Sequence, residues 1–209
     1  LPAAPREGLS LEMAARAARM AFFRQCCEET RLDAVATGHQ ADDVVETLLL
    51  RLARGAGAAG LSGLRPLTRN NHCVLIRPCL PVAGSALRAW LSARGFAWRE
   101  DASNQDASIP RNRVRNLLLP ELEKTWPGGL RALLCQSAEI LREDDCLLEA
   151  LAAQRLAALA PDGACPAALP VQGLLHEPPA LQRRILRLWL FRHKQTDAAG
   201  HDPVRAILA

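Results

Sequence analysis

His39, Asp42, Asp43, Glu46 and Thr47 follow directly on the short apolar run 33–37. Carboxylates can take up a proton or hold an ammonium group, and an imidazole can offer a hydrogen bond to a base or a phosphate. Open α/β sheets bind their ligands at such a place, past the carboxyl end of a strand and at the start of the next helix. At about 100° per residue, Val44, Val45, Leu48, Leu49 and Leu52 share one face, which should pack on the sheet. Asp43, Glu46, Thr47, Leu50 and Arg54 point the other way, with Asp42 at the border. The spacing therefore predicts two carboxylates and a hydroxyl on the face that does not pack. Acidic residues in a first helical turn also suit the helix macrodipole without further role. That accounts for neither His39 nor the segments that follow.

Arg54 leads into Gly55-Ala56-Gly57-Ala58-Ala59-Gly60-Leu61-Ser62-Gly63. Four glycines give this loop access to positive φ and to close backbone approach. Such loops can cradle phosphate with their N–H groups, but without a Lys-Ser/Thr ending this one is not a P-loop of the NTPase kind. Further on, the acidic, Ser/Asn-rich stretch Glu100-Asp101-Ala102-Ser103-Asn104 gives way to the basic run Arg111-Asn112-Arg113-Val114-Arg115. If that run is helical, Arg111 and Arg115 share a face and Arg113 points nearly opposite. Arginine forks match phosphate and carboxylate geometry. Arg111 and Arg115 individually read as a solvated basic helix terminus.

In this order and spacing the segments resemble bacterial tRNA(Ile)-lysidine synthetases, members of the N-type ATP pyrophosphatase (PP-loop) group. The family pattern runs A-H-x-x-D-D-x-x-E-T, R-G-x-G-x-x-G-L-x-G, I-x-R-P-L-L, E-D-x-S-N and R-N-x-x-R ahead of L-P. Here it reads Gly38-His39-Gln40-Ala41-Asp42-Asp43 through Glu46-Thr47, Arg54-Gly55 through Gly63, and Ile76-Arg77-Pro78-Cys79-Leu80. The acidic and basic segments quoted above complete it. The first signature is shared with tRNA thiolation enzymes, whereas the whole series, from about Leu9 to Pro120, is specific. Gly38 replaces the usual Ala, and Val44-Val45 a more polar pair. The family's S-G-G-x-D-S nucleotide loop lies upstream of the helix starting near Ser10 and is not in this chain. The resemblance thus implies an N-terminally incomplete PP-loop domain that by itself would not bind ATP productively.

It further implies a reaction. ATP adenylates the C2 oxygen of the wobble cytidine of tRNA(Ile) with a CAU anticodon, and pyrophosphate leaves. The ε-amine of free L-lysine then attacks C2 and AMP departs. ATP and Mg²⁺ are the implied cofactors, with Mg²⁺ on oxygen ligands. By position, Asp43 and Glu46 are expected to contact the cytidine or the incoming lysine, with His39 placing base or phosphate. Asp42 is the more structural of the pair and could cap its helix. Arg113 is assigned to the reaction centre or the anticodon region, and Arg54, with Gly55 beside it, to phosphate. The alternatives are another PP-loop tRNA-modifying enzyme, such as a thiolase, or a non-catalytic tRNA-binding fragment. A second copy of the chain is a further candidate partner.

Composition is compatible with this. The 209 residues are 49% hydrophobic and 23% charged, with a net charge of +4, so a polyanionic partner is acceptable. Only Lys124 and Lys194 are lysines. Arg-for-Lys use with abundant Ala reads as GC-rich coding, so arginine abundance says little about RNA. No Tyr and few Phe speak against a surface that stacks single-stranded bases. Trp90, Trp98, Trp126 and Trp189 are expected in a core or at an interface. Seven cysteines without a C-x-x-C pair fit reduced, mostly buried thiols in a cytoplasm rather than disulfides or zinc. The missing pairs also count against thiolation. His72, His176, His193 and His201 show no metal-ligand spacing. No apolar run spans a bilayer, and no signal peptide is evident.

Strands are predicted at 33–37 and 73–76, and helices at 11–30 with Ser10 as N-cap, 42–53 and 85–94 with Gly95 as stop. Alternating strands and helices imply a Rossmann-like parallel sheet with flanking helices, over residues 1–120. From 121 to 209 the pattern is all-α and resembles the family's helical substrate-specificity domain. Helices are predicted at 130–159, broken near 143–145, at 179–193, and again from His201, with a loop at 161–170.

Overall fold

The computed structural model describes residues 11–69, 73–159 and 168–193. Ser10, most of the 161–170 loop and the helix expected from His201 lie outside the described residues. Contacts divide the chain into two compact units, Leu1–Glu139 and Ile140–Ala209.

The first unit is built on a three-stranded sheet. Helix α1 (Leu11–Thr30) leads into β1 (Ala34–Ala36), and α2 (Ala41–Leu52) follows the strand. A short α3 (Ala58–Leu61), strands β2 (Leu67–Arg69) and β3 (Val74–Ile76), and α4 (Gly84–Ala93) come next. The strand order is β1-β3-β2. β1 and β3 pair in parallel, Val35 opposite Leu75, as the alternation of strand and helix predicts. β2 runs antiparallel to β3, so the sheet is mixed rather than purely parallel. Its three residues carry no alternation to announce them. Their place is fixed by Arg77, which donates from its guanidinium to the Arg65 carbonyl at 2.6 Å and to Thr68 Oγ1 at 2.9 Å.

After a 3₁₀ turn at Ala102–Gln105, the chain forms α5 (Pro110–Arg113), a wide π turn (Val114–Leu118) and α6 (Leu119–Thr125). The wide turn has a local cause. Pro120 has no N–H for the Asn116 carbonyl, and its ring would crowd that carbonyl in a regular helix. Leu119 N–H instead reaches back to the Val114 carbonyl.

Helix α7 (Leu130–Ala158) begins in the first unit and runs unbroken through 143–145, where an interruption was expected. Asp145 is buried there and accepts from Arg184 at 2.6 Å, so the residue that suggests a break is a core ion pair. α8 (Val171–Leu175) and α9 (Pro179–Arg192) complete the second unit. Ala152, Leu156, Leu174 and Ile185 form its centre, with Trp189 against them. Composition placed the domain change at Pro120, but the contacts divide later. The first turns of α7 pack on α2, where Ala138, Leu134 and Cys135 join Val44, Leu48 and Leu80.

α2 is buried on both sides of its middle. Val44 and Leu48 face the α7 cluster, while Val45 meets Val114 and Leu119. The face expected to stay unpacked is covered as well, since Glu46 and Thr47 are buried. Trp90, Trp98 and Trp126 are exposed, so of the two places expected for the tryptophans the core holds Trp189 alone. Leu48→Ala should cost about 2–5 kcal/mol of unfolding free energy, as for other large-to-small core changes. Urea unfolding followed by circular dichroism measures it, and a loss under about 1 kcal/mol would contradict the packing described.

Candidate functional site

The site forms around the first half of α2. Its N-terminus is fixed by Asp43, whose carboxylate accepts from the Gln40 N–H at 2.9 Å in a capping-box arrangement. Asp43 is thus the acidic residue that caps this helix, a task expected of Asp42. Asp42 reaches outward instead. It accepts from the Gly84 N–H at 3.0 Å, at the start of α4, and from Arg131 at 3.0 Å, at the start of α7. Arg131 also donates to Glu123 at 2.7 Å. The approach at α4 requires a glycine: a Cβ on residue 84 would stand 2.6 Å from the Asp42 carboxylate and from the Gln40 amide oxygen. Ala41 N–H donates to the Val82 carbonyl beside it.

Glu46 is fully buried. Arg115 grips it with two hydrogen bonds, Nε at 2.6 Å and an Nη at 3.0 Å, the bidentate form preferred by guanidinium and carboxylate. Arg111 Nε lies 3.4 Å from the same carboxylate, and its Nη donates to Thr47 Oγ1 at 2.8 Å. Asp43 stands 3.7 Å from Arg115. Burial pushes the Glu46 carboxyl above the usual carboxylate range, and the Arg115 fork opposes it. Arg111 and Arg115 do share a face, as the spacing predicts, but they are not a solvated terminus. Arg113, chosen from the sequence for the reaction centre, is exposed on the other side of this turn.

The asparagines of the same stretch hold the acidic loop. Asn112, buried, donates to the Ser103 and Asp106 carbonyls, and Asn116 to that of Asn104. Asp101 accepts from the Ser103 N–H, which holds its carboxyl below the usual range. The E-D-A-S-N and R-N-R-V-R segments are therefore one packed unit.

His39 lies half-buried between β1 and α2, its Nδ1 2.8 Å from Thr37 Oγ1. Burial lowers its pKa, partly offset by the Asp43 carboxylate, so the fold favours the neutral ring. It can position a polar group through its free nitrogen but brings no charge.

Arg54 and Gly55 lie at the far end of α2. That helix has 12 residues, so about 18 Å of axis separates them from His39. The structure does not gather these three expected nucleotide contacts at one place. Gly55, with φ 71°, ends the helix, and Arg54 is exposed. The glycine loop is tied down by Arg51, which sequence reasoning passed over and which donates to the Gly60 and Gly63 carbonyls at 2.6 and 3.2 Å. Arg131 was missed too, since nothing local marks a residue that acts 89 positions away. Nor do the α2 acids fit Mg²⁺. Asp42, Asp43 and Glu46 each already face an arginine or an N–H. Among the described residues no group of three His, Cys, Asp or Glu is poised for a metal.

Residues 3–122 match the PP-loop domain family. The chain belongs to the PP-loop family. Around the PP-loop region it is similar to tRNA(Ile)-lysidine synthases. It is 41% identical to that of Geobacter sulfurreducens over 184 residues, which is 87% of this chain and 38% of the relative. With the Pseudomonas putida enzyme it shares 38% over 200 residues, 93% of this chain and 46% of the relative. With the Leifsonia xyli enzyme it shares 41% over 180 residues, 85% and 52% respectively. The chain thus spans about half the length, or less, of these relatives. Among solved structures, the U34-tRNA thiolase of Methanococcus maripaludis matches with a TM-score of 0.52 and 18% identity. The match covers 66% of this chain and 47% of that one, and it shows a likeness of fold.

Two outcomes test this geometry. Arg115→Ala strands a buried carboxylate, so unfolding free energy should fall by about 2–4 kcal/mol, with Arg111 as partial substitute. Adding Glu46→Leu should recover part of that, and a double variant no more stable than Arg115→Ala would contradict the pairing. The His39 ring should titrate below its ordinary 6.5 by proton NMR. The stability it contributes is then complete above 6.5 and lost as pH falls through the lower folded value. Titration at or above 6.5 would refute the burial argument.

Proposed function

We propose that this chain is part of a tRNA(Ile)-lysidine synthetase. ATP, when bound, supplies the adenylyl group that turns the C2 oxygen of the CAU-anticodon wobble cytidine into a leaving group. Free L-lysine then attacks C2, and the products are lysidine, AMP and pyrophosphate. The observation that carries this is the junction of two signature segments 69 residues apart, where Glu46 of H-x-x-D-D-x-x-E-T meets Arg115 of R-N-x-x-R. That junction occurs in a chain about 40% identical to lysidine synthases.

The roles divide by exposure. Asp43 keeps a carboxylate oxygen beside Arg115 and is the group to hold the lysine ammonium or accept its proton. Neutral His39 offers a hydrogen bond to the cytidine or a phosphate. Glu46 is a positioning residue: its buried carboxylate aims the Arg115 and Arg111 guanidiniums, which face the developing negative charge. Arg113 and Arg54, both exposed, are left to meet tRNA phosphates. No step is assigned to Mg²⁺. No helix among the described residues is long and apolar enough to cross a membrane, and the cytoplasm is the compartment where the tRNA would be met.

Asp43→Asn is the direct test, because the amide oxygen can still cap Gln40 while the charge is lost. In the full-length gene product it should abolish ATP-dependent incorporation of labelled lysine into tRNA(Ile), with the unfolding midpoint almost unchanged. Turnover near that of the parent would remove Asp43 from the mechanism. Absence of lysine incorporation by the parent would sink the functional proposal itself.

A further inference from the structure

Between Glu46 and Glu100 the sequence contains no acidic residue, and it contains eight arginines. The net charge of the whole chain is only +4, so the rest of the molecule is net acidic. GC-rich coding explains Arg in place of Lys, but not the exclusion of Asp and Glu. Five of these arginines, Arg54, Arg69, Arg88, Arg94 and Arg99, are exposed. A sequence stretch of one sign suits a polyanionic partner.

Within this stretch α4 carries an aromatic shelf. The helix packs through Gly84, Leu87 and Leu91, which leaves Trp90 51% exposed. Gly95, with φ 71°, turns the chain at the helix end, and the Phe96 N–H closes back on the Leu91 carbonyl at 3.0 Å. That fold-back sets the Phe96 ring nearly parallel to Trp90, at 11° and 6.4 Å between centroids. Phe96 is 56% exposed, and Trp98 beyond it 42%. The Arg94 guanidinium lies 4.0 Å from the centre of the Trp90 ring. A guanidinium stacked in this way can still fork a phosphate with its edge. The start of the same helix is the Gly84 N–H held by Asp42, so Trp90 lies about 9 Å along the axis from the candidate site.

We infer that the Trp90–Arg94–Phe96 shelf is a landing surface for unpaired nucleotides of the RNA substrate, stacking bases on the rings and pairing a phosphate with Arg94. Near-parallel exposed rings beside a cation can hold single-stranded nucleic acid without sequence readout, so this patch runs against the expectation drawn from the lack of Tyr and the few Phe. The Arg94 guanidinium over the Trp90 ring favours a polyanion over an apolar protein partner. This deepens the lysidine proposal, since it says where the RNA rests beside the α2 site.

The test is affinity. Fluorescence anisotropy would follow the full-length gene product with two labelled probes, an unmodified CAU-anticodon tRNA(Ile) transcript and a fully paired RNA duplex of equal phosphate count. Trp90→Ala should weaken tRNA binding about tenfold and leave the duplex within about twofold. Trp90→Phe should retain most of the affinity, whereas Trp90→Leu, which stays apolar but cannot stack, should behave like Ala. Equal loss on both probes, equal behaviour of Phe and Leu, or no loss at all would overturn the inference. So would a Trp90→Ala variant that sediments as a smaller species while binding tRNA unchanged, which would make the shelf a contact between copies. Lysidine formation separates the two proposals. Unchanged tRNA affinity in an enzyme that makes lysidine removes the shelf alone. Stack-dependent binding by a protein that makes none keeps the shelf and removes the reaction.

Discussion

A carboxylate removed from water must be compensated, and Glu46 is the carboxylate around which the first unit is arranged. An unpaired charge at that depth would cost several kcal/mol, so the fold can place Glu46 there only if cations arrive with it. Arg115 supplies a two-pronged grip and Arg111 a second positive group. Both come from a helix that must follow the β-sheet and return across α2. The wide turn at Val114–Leu118 and the asparagines holding the acidic loop make sense as the support of that return. The interaction therefore fixes a pair of guanidiniums in direction, which a surface arginine would not be.

Three acidic residues that look alike in the sequence have three separate tasks. Asp42 joins the starts of α4 and α7, Asp43 closes the first turn of its own helix, and Glu46 anchors the arginines. Only Asp43 combines a structural bond with an oxygen still near the arginine cluster. The division follows from helix geometry. Successive residues point about 100° apart, so neighbours in sequence address different neighbours in space.

The sequence made the elements legible wherever periodicity ran long enough, as in α1, α2, α4, α7 and α9. It also marked α2 as the helix around which the candidate site forms, through the density of its polar residues and its place after a strand. It did not show β2, whose three residues have no pattern of their own, or the continuity of α7, where a buried ion pair mimics a break. The largest misreading concerned the second face of α2. A helical wheel reports which residues share a side, but not whether a distant segment covers that side. Glu46 and Thr47 looked solvent-facing because their cover, Arg111 and Arg115, comes from more than 60 positions away. The same blindness hid Arg131, and it turned Arg54 and Gly55 into nucleotide contacts on proximity in sequence. A core or an interface is the expected place of the tryptophans, and α4 is too narrowly packed to hide Trp90 in a core.

The bonds that define this site close very long stretches of chain. Asp42 binds Gly84 across 42 residues, Glu46 binds Arg115 across 69, and Asp42 binds Arg131 across 89. Closure of this kind is entropically expensive and comes late in folding, after local helices have formed. A half-folded chain leaves the α2 acids without their arginines, and a helix of 12 residues is itself marginal without its packing partners. Assembly of the α2 cluster is thus tied to completion of the tertiary fold, and quality of folding and competence of the site are the same event.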